Sequence, residues 1–78
     1  MARRRRVHPL VHELRARRLA LGNTQAGLAR FIGMSPAALG GRETGLVKTT
    51  LADADRIARA LGMRLVLITT ATDLEGLL

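Results

Sequence analysis

Apolar residues return every three or four positions along most of this chain, and glycines punctuate the runs. Pro9 opens the first run, at a position where its missing N–H costs a helix nothing. Leu10, Val11, Leu14, Arg18 and Leu21 follow at helical spacing, which predicts an amphipathic helix of about three turns ended by Gly22-Asn23. Thr24 is placed to cap a second helix that begins at Gln25, carries Leu28, Ala29 and Ile32 as its stripe, and closes at Gly33. Ser35-Pro36 is the clearest start in the chain, a capping hydroxyl followed by proline at the first helical position. That third helix is expected to reach about Glu43, with Gly45 beyond it. Gly40 and Gly41 inside it should each cost roughly 1 kcal/mol relative to alanine. Packing of Ala38 and Leu39 must therefore hold it together. After a loop at 44–49, Thr49 or Thr50 caps a fourth helix in which Leu51, Ala54, Ile57, Ala58 and Leu61 share a face, and Gly62 stops it.

Beyond Gly62 the pattern changes. Leu65, Val66, Leu67 and Ile68 form a short β-prone run, with Leu65 and Leu67 on one side of a strand and Val66 and Ile68 on the other. A lone strand leaves its backbone groups unpaired. The same strand of a second copy, antiparallel across a two-fold axis, would satisfy them. A partner protein adding its own strand, or a helical continuation, are the alternatives. The tail from Asp73 to Leu78 is one more helical turn or a frayed end. The chain thus divides into a flexible basic arm at 1–8, a helical domain at 9–62, and a dimerisation strand with a short tail at 63–78.

A length of 78 residues limits the chain to one small domain. It has no cysteine, which removes thiolate chemistry, disulfides and the common structural zinc sites. His8 and His12 are four apart, but no third ligand stands near them, so neither a metal nor a cofactor is expected. No grouping of nucleophile, base and orienting acid is present, so no enzyme is expected. With no Trp or Tyr and one Phe, base stacking on aromatic side chains is excluded as the main mode of nucleic-acid contact. No apolar run is long enough to span a bilayer, and the N-terminal arginines lack the apolar stretch of a secretory signal.

Charge sharpens the picture. The net charge is +7. Residues 1–30 hold eight arginines against one acid, whereas residues 31–78 hold five bases and five acids. One part of the molecule is therefore strongly positive, and a polyanion such as nucleic acid is the natural partner. The two short central helices joined by the tight turn at Gly33-Met34 have helix-turn-helix spacing, with the second helix able to enter a major groove.

From Arg18 to Gly45 the chain resembles the Cro/C1-type, or XRE-type, helix-turn-helix family of phage and bacterial regulators. The residues that carry the likeness are Gln25, Leu28-Ala29, Gly33, Ser35, Leu39, Glu43 and Gly45, with Arg18 four before Gly22. The run from Leu51 to Leu67 is similar to the family's fourth helix with the terminal strand of its antitoxin-like members. The resemblance implies an all-α bundle of four to five helices with a short C-terminal β-strand paired across a dimer. It implies base reading by Ser35, Pro36, Ala37 and Gly41, and backbone contacts by Asn23, Thr24, Gln25 and Lys48. It also implies that Arg18 and Glu43 form a structural ion pair tying the first helix to the end of the third. Arg15 and Arg17 are further candidates for phosphates, and Arg3, Arg4, Arg5 and Arg6 for a minor-groove arm.

Two positions depart from the family pattern. Arg42 stands where a large apolar residue is usual, and Gly40 where a small polar one is common. Few of the reading positions carry a hydrogen-bonding side chain. Specificity is then expected from thymine methyl contacts by Pro36 and Ala37, from Arg42 turned to a base, or from the shape of the site. The resulting expectation is a double-stranded DNA-binding regulator, bacterial or phage-encoded and cytoplasmic. It would act as a homodimeric repressor on an inverted repeat, since a small domain without a sensor acts most simply by occluding a promoter. An antitoxin-like protein binding DNA and a toxin, and a protein-interaction module on the same fold, are the alternatives.

Overall fold

The computed structural model describes residues 6–70, and these form four helices: α1 (Pro9–Ala20), α2 (Gln25–Phe31), α3 (Pro36–Thr44) and α4 (Leu51–Ala60). Each begins on a side-chain acceptor for one of the free amides of its first turn. His8 Nδ1 accepts from the Leu10 amide at 3.0 Å, Thr24 Oγ1 from Gly27 at 3.0 Å, Ser35 Oγ from Ala38 at 3.1 Å, and Thr50 Oγ1 from Asp53 at 3.1 Å. The ends of α1, α2 and α4 follow one scheme. Gly22, with φ of 73°, turns the chain so that the Asn23 amide reaches back to the Arg18 carbonyl at 3.0 Å. Gly33 and Gly62 let the Met34 and Met63 amides close α2 and α4 in the same way.

Leu14 of α1, Leu28 and Ala29 of α2, Ile32, Leu39 of α3, and Ala54, Ile57 and Ala58 of α4 with Leu61 make one buried cluster. Leu39 and Leu61 are its largest fully buried side chains. The helical stripes read from the sequence therefore face a common centre, except that Leu21, expected on the stripe of α1, is its C-cap and lies exposed. Leu10, Met34, Ala60, Met63 and Leu65 pack around its edge. Leu51, expected on the inner face of α4, instead lies 80 % exposed at the first helical position.

Gly40 and Gly41 owe their places to close packing. Neighbouring positions on a helix point about 100° apart, so the two glycines face different elements. A Cβ at Gly40 would stand 3.2 Å from Oε1 of Gln25, on α2. A Cβ at Gly41 would stand 2.9 Å from Cγ2 of Val47, in the loop after α3. The Val47 amide also donates to the Gly41 carbonyl at 3.0 Å. Bare backbone at two successive positions lets α2 and the α3–α4 loop close on α3 from two sides.

The strand expected at Leu65 to Ile68 is not among the elements observed: residues 63–70 make no ladder. Among the described residues there is no second strand for it to pair with, and the run stays irregular. Leu65 packs on the core, but Leu67 does not follow it; Val66, Leu67 and Ile68 are all exposed. The tail from Asp73 and the arginines Arg3, Arg4 and Arg5 lie outside the described residues.

The two glycines should respond to alanine by different amounts. Gly41→Ala forces the branched Val47 and its loop to move and should lower stability by about 1–3 kcal/mol, the usual cost of overpacking. Gly40→Ala gains up to about 1 kcal/mol of helix propensity but presses on the Gln25 amide that Glu43 holds, so the two effects oppose and its net loss should be clearly smaller than that of Gly41→Ala. Urea unfolding of both variants measures the difference; equal losses would contradict this packing.

Candidate nucleic-acid interface

Glu43, in the last turn of α3, is the acceptor on which three helices converge. Arg18 of α1 meets it as a fork, Nε to Oε2 at 2.8 Å and Nη2 to Oε1 at 2.9 Å. Arg18 Nη1 donates to the Asn23 carbonyl at 2.7 Å, which fixes the turn into α2. Gln25 Nε2, in the first turn of α2, donates to Glu43 Oε1 at 2.9 Å. Arg15 approaches the same oxygen at 3.9 Å from a half-exposed position. Arg18 and Glu43 are both buried, and no buried side-chain nitrogen or oxygen among the described residues lacks a partner. Removing one member would leave the other charge buried and unpaired, at a cost of about 3–5 kcal/mol.

This network sets the angle between α2 and α3, the two helices of the helix-turn-helix. Ser35, Pro36 and Ala37 at the start of α3 are exposed. Asn23 and Thr24 are exposed at the turn into α2, and Lys48 is exposed in the loop after α3. Ser35 Oγ is engaged as the cap of α3.

Several residues expected to contact DNA are placed otherwise. Arg42 does not present its guanidinium for a base. Its Nε donates to Asp53 Oδ2 of α4 at 2.9 Å, and its Nη1 to the Ala38 carbonyl at 2.9 Å. A cation thus occupies a position where the family usually has an apolar side chain, with an aspartate across the helix interface to neutralise it. Gly41 is buried under Val47 and cannot line a groove. Arg17 donates from Nε to the Leu61 carbonyl at 3.2 Å, at the C-terminal end of α4, where a cation meets the carbonyls the helix leaves free. Gln25 gives one of its two amide N–H groups to Glu43 and so braces α3. Asp53 is the residue that sequence reasoning missed. Its only signal was an acid on the predicted fourth helix, with nothing to link it to Arg42.

The outward side of α3 is consequently smooth. Pro36 and Ala37 have no polar side-chain atom, Gly40 faces Gln25, and the Thr44 hydroxyl turns back to the Gly40 carbonyl at 2.9 Å. Such a surface can approach base edges closely and offers methyl and methylene groups more than hydrogen-bond donors.

The profile of the helix-turn-helix family matches residues 14–68 of the chain, which takes in α1 to α4 and the run after Gly62. The chain belongs to this family, of the Cro/C1 or XRE type, and is a DNA-binding regulator of that type. No curated protein and no solved structure matches it significantly. No described helix is long and apolar enough to cross a membrane.

Two carboxylates in the bundle are held below their ordinary range. Burial pushes the Glu43 carboxyl up, but hydrogen bonds from Arg18 and Gln25 and the charges of Arg18 and Arg15 outweigh it. For Asp53 the hydrogen bond from Arg42 dominates; burial opposes it, and the charge of Arg42 and the Thr50 contacts add to the lowering. Groups depressed in this way contribute stability that is full above the unfolded carboxylate range, about pH 4–4.5, and is lost as pH falls through the folded values. Urea unfolding of the parent should therefore show a falling midpoint below about pH 4.5. Glu43→Gln should be less stable at neutral pH and lose less on acidification. Parallel pH profiles for parent and variant would show that Glu43 does not carry this dependence.

Proposed function

We infer that this protein is a sequence-specific repressor that binds an inverted-repeat operator as a homodimer. The observation that carries the reading is the α2–α3 pair, clamped through Glu43, with Ser35, Pro36 and Ala37 exposed at the leading end of α3. Inserted in the major groove, α3 reads thymine methyl groups through Pro36 and Ala37 and the local shape of the groove. The tethering of Arg42 to Asp53 favours these two sources over a guanidinium–guanine contact. Asn23, Thr24 and Lys48 hold phosphates on either side, and the arm of Arg3 to Arg6 adds sequence-independent affinity. A protein of this kind acts in the cytoplasm.

Val66, Leu67 and Ile68 are the basis for the dimer. Three successive apolar side chains stay exposed on a β-prone run that has no paired strand among the described residues. Pairing the run with its equivalent across a two-fold axis would cover them and set two recognition helices about 34 Å apart or a multiple of that, matching half-sites on one DNA face. The same exposed run supports the second reading, an antitoxin-like protein whose partner supplies the strand.

Selection of bound fragments from genomic DNA should return an inverted repeat, and equilibrium sedimentation at micromolar protein should show a dimer that Leu67→Asp dissociates. A parent that stays monomeric both free and on its selected DNA would overturn the homodimer and shift the reading to a partner protein. Failure to enrich any sequence would overturn sequence-specific binding itself.

A further inference from the structure

Ahead of α1, the root of the N-terminal arm faces the α3–α4 loop across a cleft of about 370 Å³. The root of the arm contributes Arg6 and Val7 to its lining, the loop Val47 and Lys48, and α1 Val11. No acidic residue lines the cleft. Arg42 reaches it with its charge already matched by Asp53. Arg6 and Lys48, in contrast, form no ion pair or hydrogen bond among the described residues. Two unneutralised cations from opposite ends of the fold thus open on one space.

Both sides are anchored. His8, next to Arg6 and Val7, caps α1 through its Nδ1. Val47, next to Lys48, is seated on Gly41 by its side chain and by its amide. The lining joins two cations to the apolar faces of Val7 and Val47. That combination suits a sugar–phosphate unit, with anionic oxygens toward the cations and deoxyribose carbons toward the valines. An inorganic anion would use only the first half of it.

We propose that this cleft receives one backbone phosphodiester of duplex DNA, held jointly by Arg6 and Lys48 with its deoxyribose against Val7 and Val47. The proposal rests on the DNA-binding reading above and deepens it. The arm and the loop do not hold separate phosphates but share one, so the arm enters the DNA from a fixed point beside the C-terminal end of α3. The Gly41–Val47 contact acquires a second role, positioning the loop that carries Lys48.

The test is fluorescence anisotropy on a labelled mixed-sequence duplex over a range of salt, with the full chain, Arg6→Ala, Lys48→Ala and the double variant. Both residues are exposed, and circular dichroism checks that the variants keep their helix content. A shared phosphate predicts that the double variant lowers the slope of log K against log salt by about 0.9, the value of one phosphate contact. Each single variant should give less than half of that, and the affinity losses should not add. Independent contacts would give additive losses and a slope reduction of about 1.8, which would overturn the proposal, as would a parent-like slope in the double variant. A parent that binds no duplex at all would instead remove the DNA-binding reading on which the proposal rests, without recourse to any variant. Amide chemical shifts test the chemistry of the occupant: Val7, His8, Val47 and Lys48 should respond to duplex and far less to millimolar inorganic phosphate. Equal responses would make the cleft a site for free anions and overturn its assignment to a phosphodiester.

Discussion

The carboxylate of Glu43 is the point through which the orientation of the helices is fixed. Its two oxygens take a forked pair of bonds from Arg18 on α1 and a third bond from Gln25 on α2, while Glu43 itself belongs to α3. Apolar packing around Leu39 and Leu61 supplies the drive to collapse, but it is non-directional. A planar guanidinium facing a carboxylate accepts a narrow range of geometry. In a bundle whose helices run from seven to twelve residues, with few side chains per interface, that direction is what distinguishes one arrangement of α2 on α3 from its near neighbours.

The constraint has a consequence for recognition. To bring α2 and the α3–α4 loop against α3, the helix gives up side chains at two successive positions, Gly40 and Gly41. Its remaining polar groups turn inward or back on themselves: Glu43 to Arg18, Arg42 to Asp53, and the Thr44 hydroxyl to the Gly40 carbonyl. What is left outward is small and apolar, with Ser35 at the cap. Rigid placement of the reading helix and a rich set of donors on it compete for the same nine residues. On the proposed reading this chain favours placement, leaving affinity to its arginines and lysine and discrimination to close fit.

The sequence made the helices legible because each start and stop has a local chemical cause. Thr24, Ser35 and Thr50 cap, and Gly22, Gly33, Gly45 and Gly62 turn, through contacts within a few residues. Arg18 and Glu43, twenty-five apart, came from resemblance to a family; no local rule pairs them. What stayed hidden depends on which elements meet in space. Arg42 and Asp53 lie on different helices, so the aspartate that claims the arginine cannot be read from either segment. Gly40 and Gly41 look like defects in a helix until Gln25 and Val47 are seen beside them. Arg17 finds a main-chain carbonyl at the end of α4, and main-chain carbonyls leave no mark in a sequence. The β-prone run at Leu65 to Ile68 has the composition of a strand, but pairing is a property of two segments, and the described residues supply only one.

The central claim is that α3 reads DNA by apolar contact and fit, because its donors are engaged within the fold. It is tested most directly by replacing thymine with uracil, one position at a time, in a duplex the protein has selected. The exchange removes only the C5 methyl and leaves every hydrogen-bonding group in the major groove. The account predicts that uracil at one or two positions in each half-site weakens binding about as much as changing the base pair, a loss on the order of 1–3 kcal/mol. Full affinity for the uracil duplex, with binding abolished when 7-deazaguanine replaces guanine, would mean that a hydrogen-bond donor reads the site and would contradict the account.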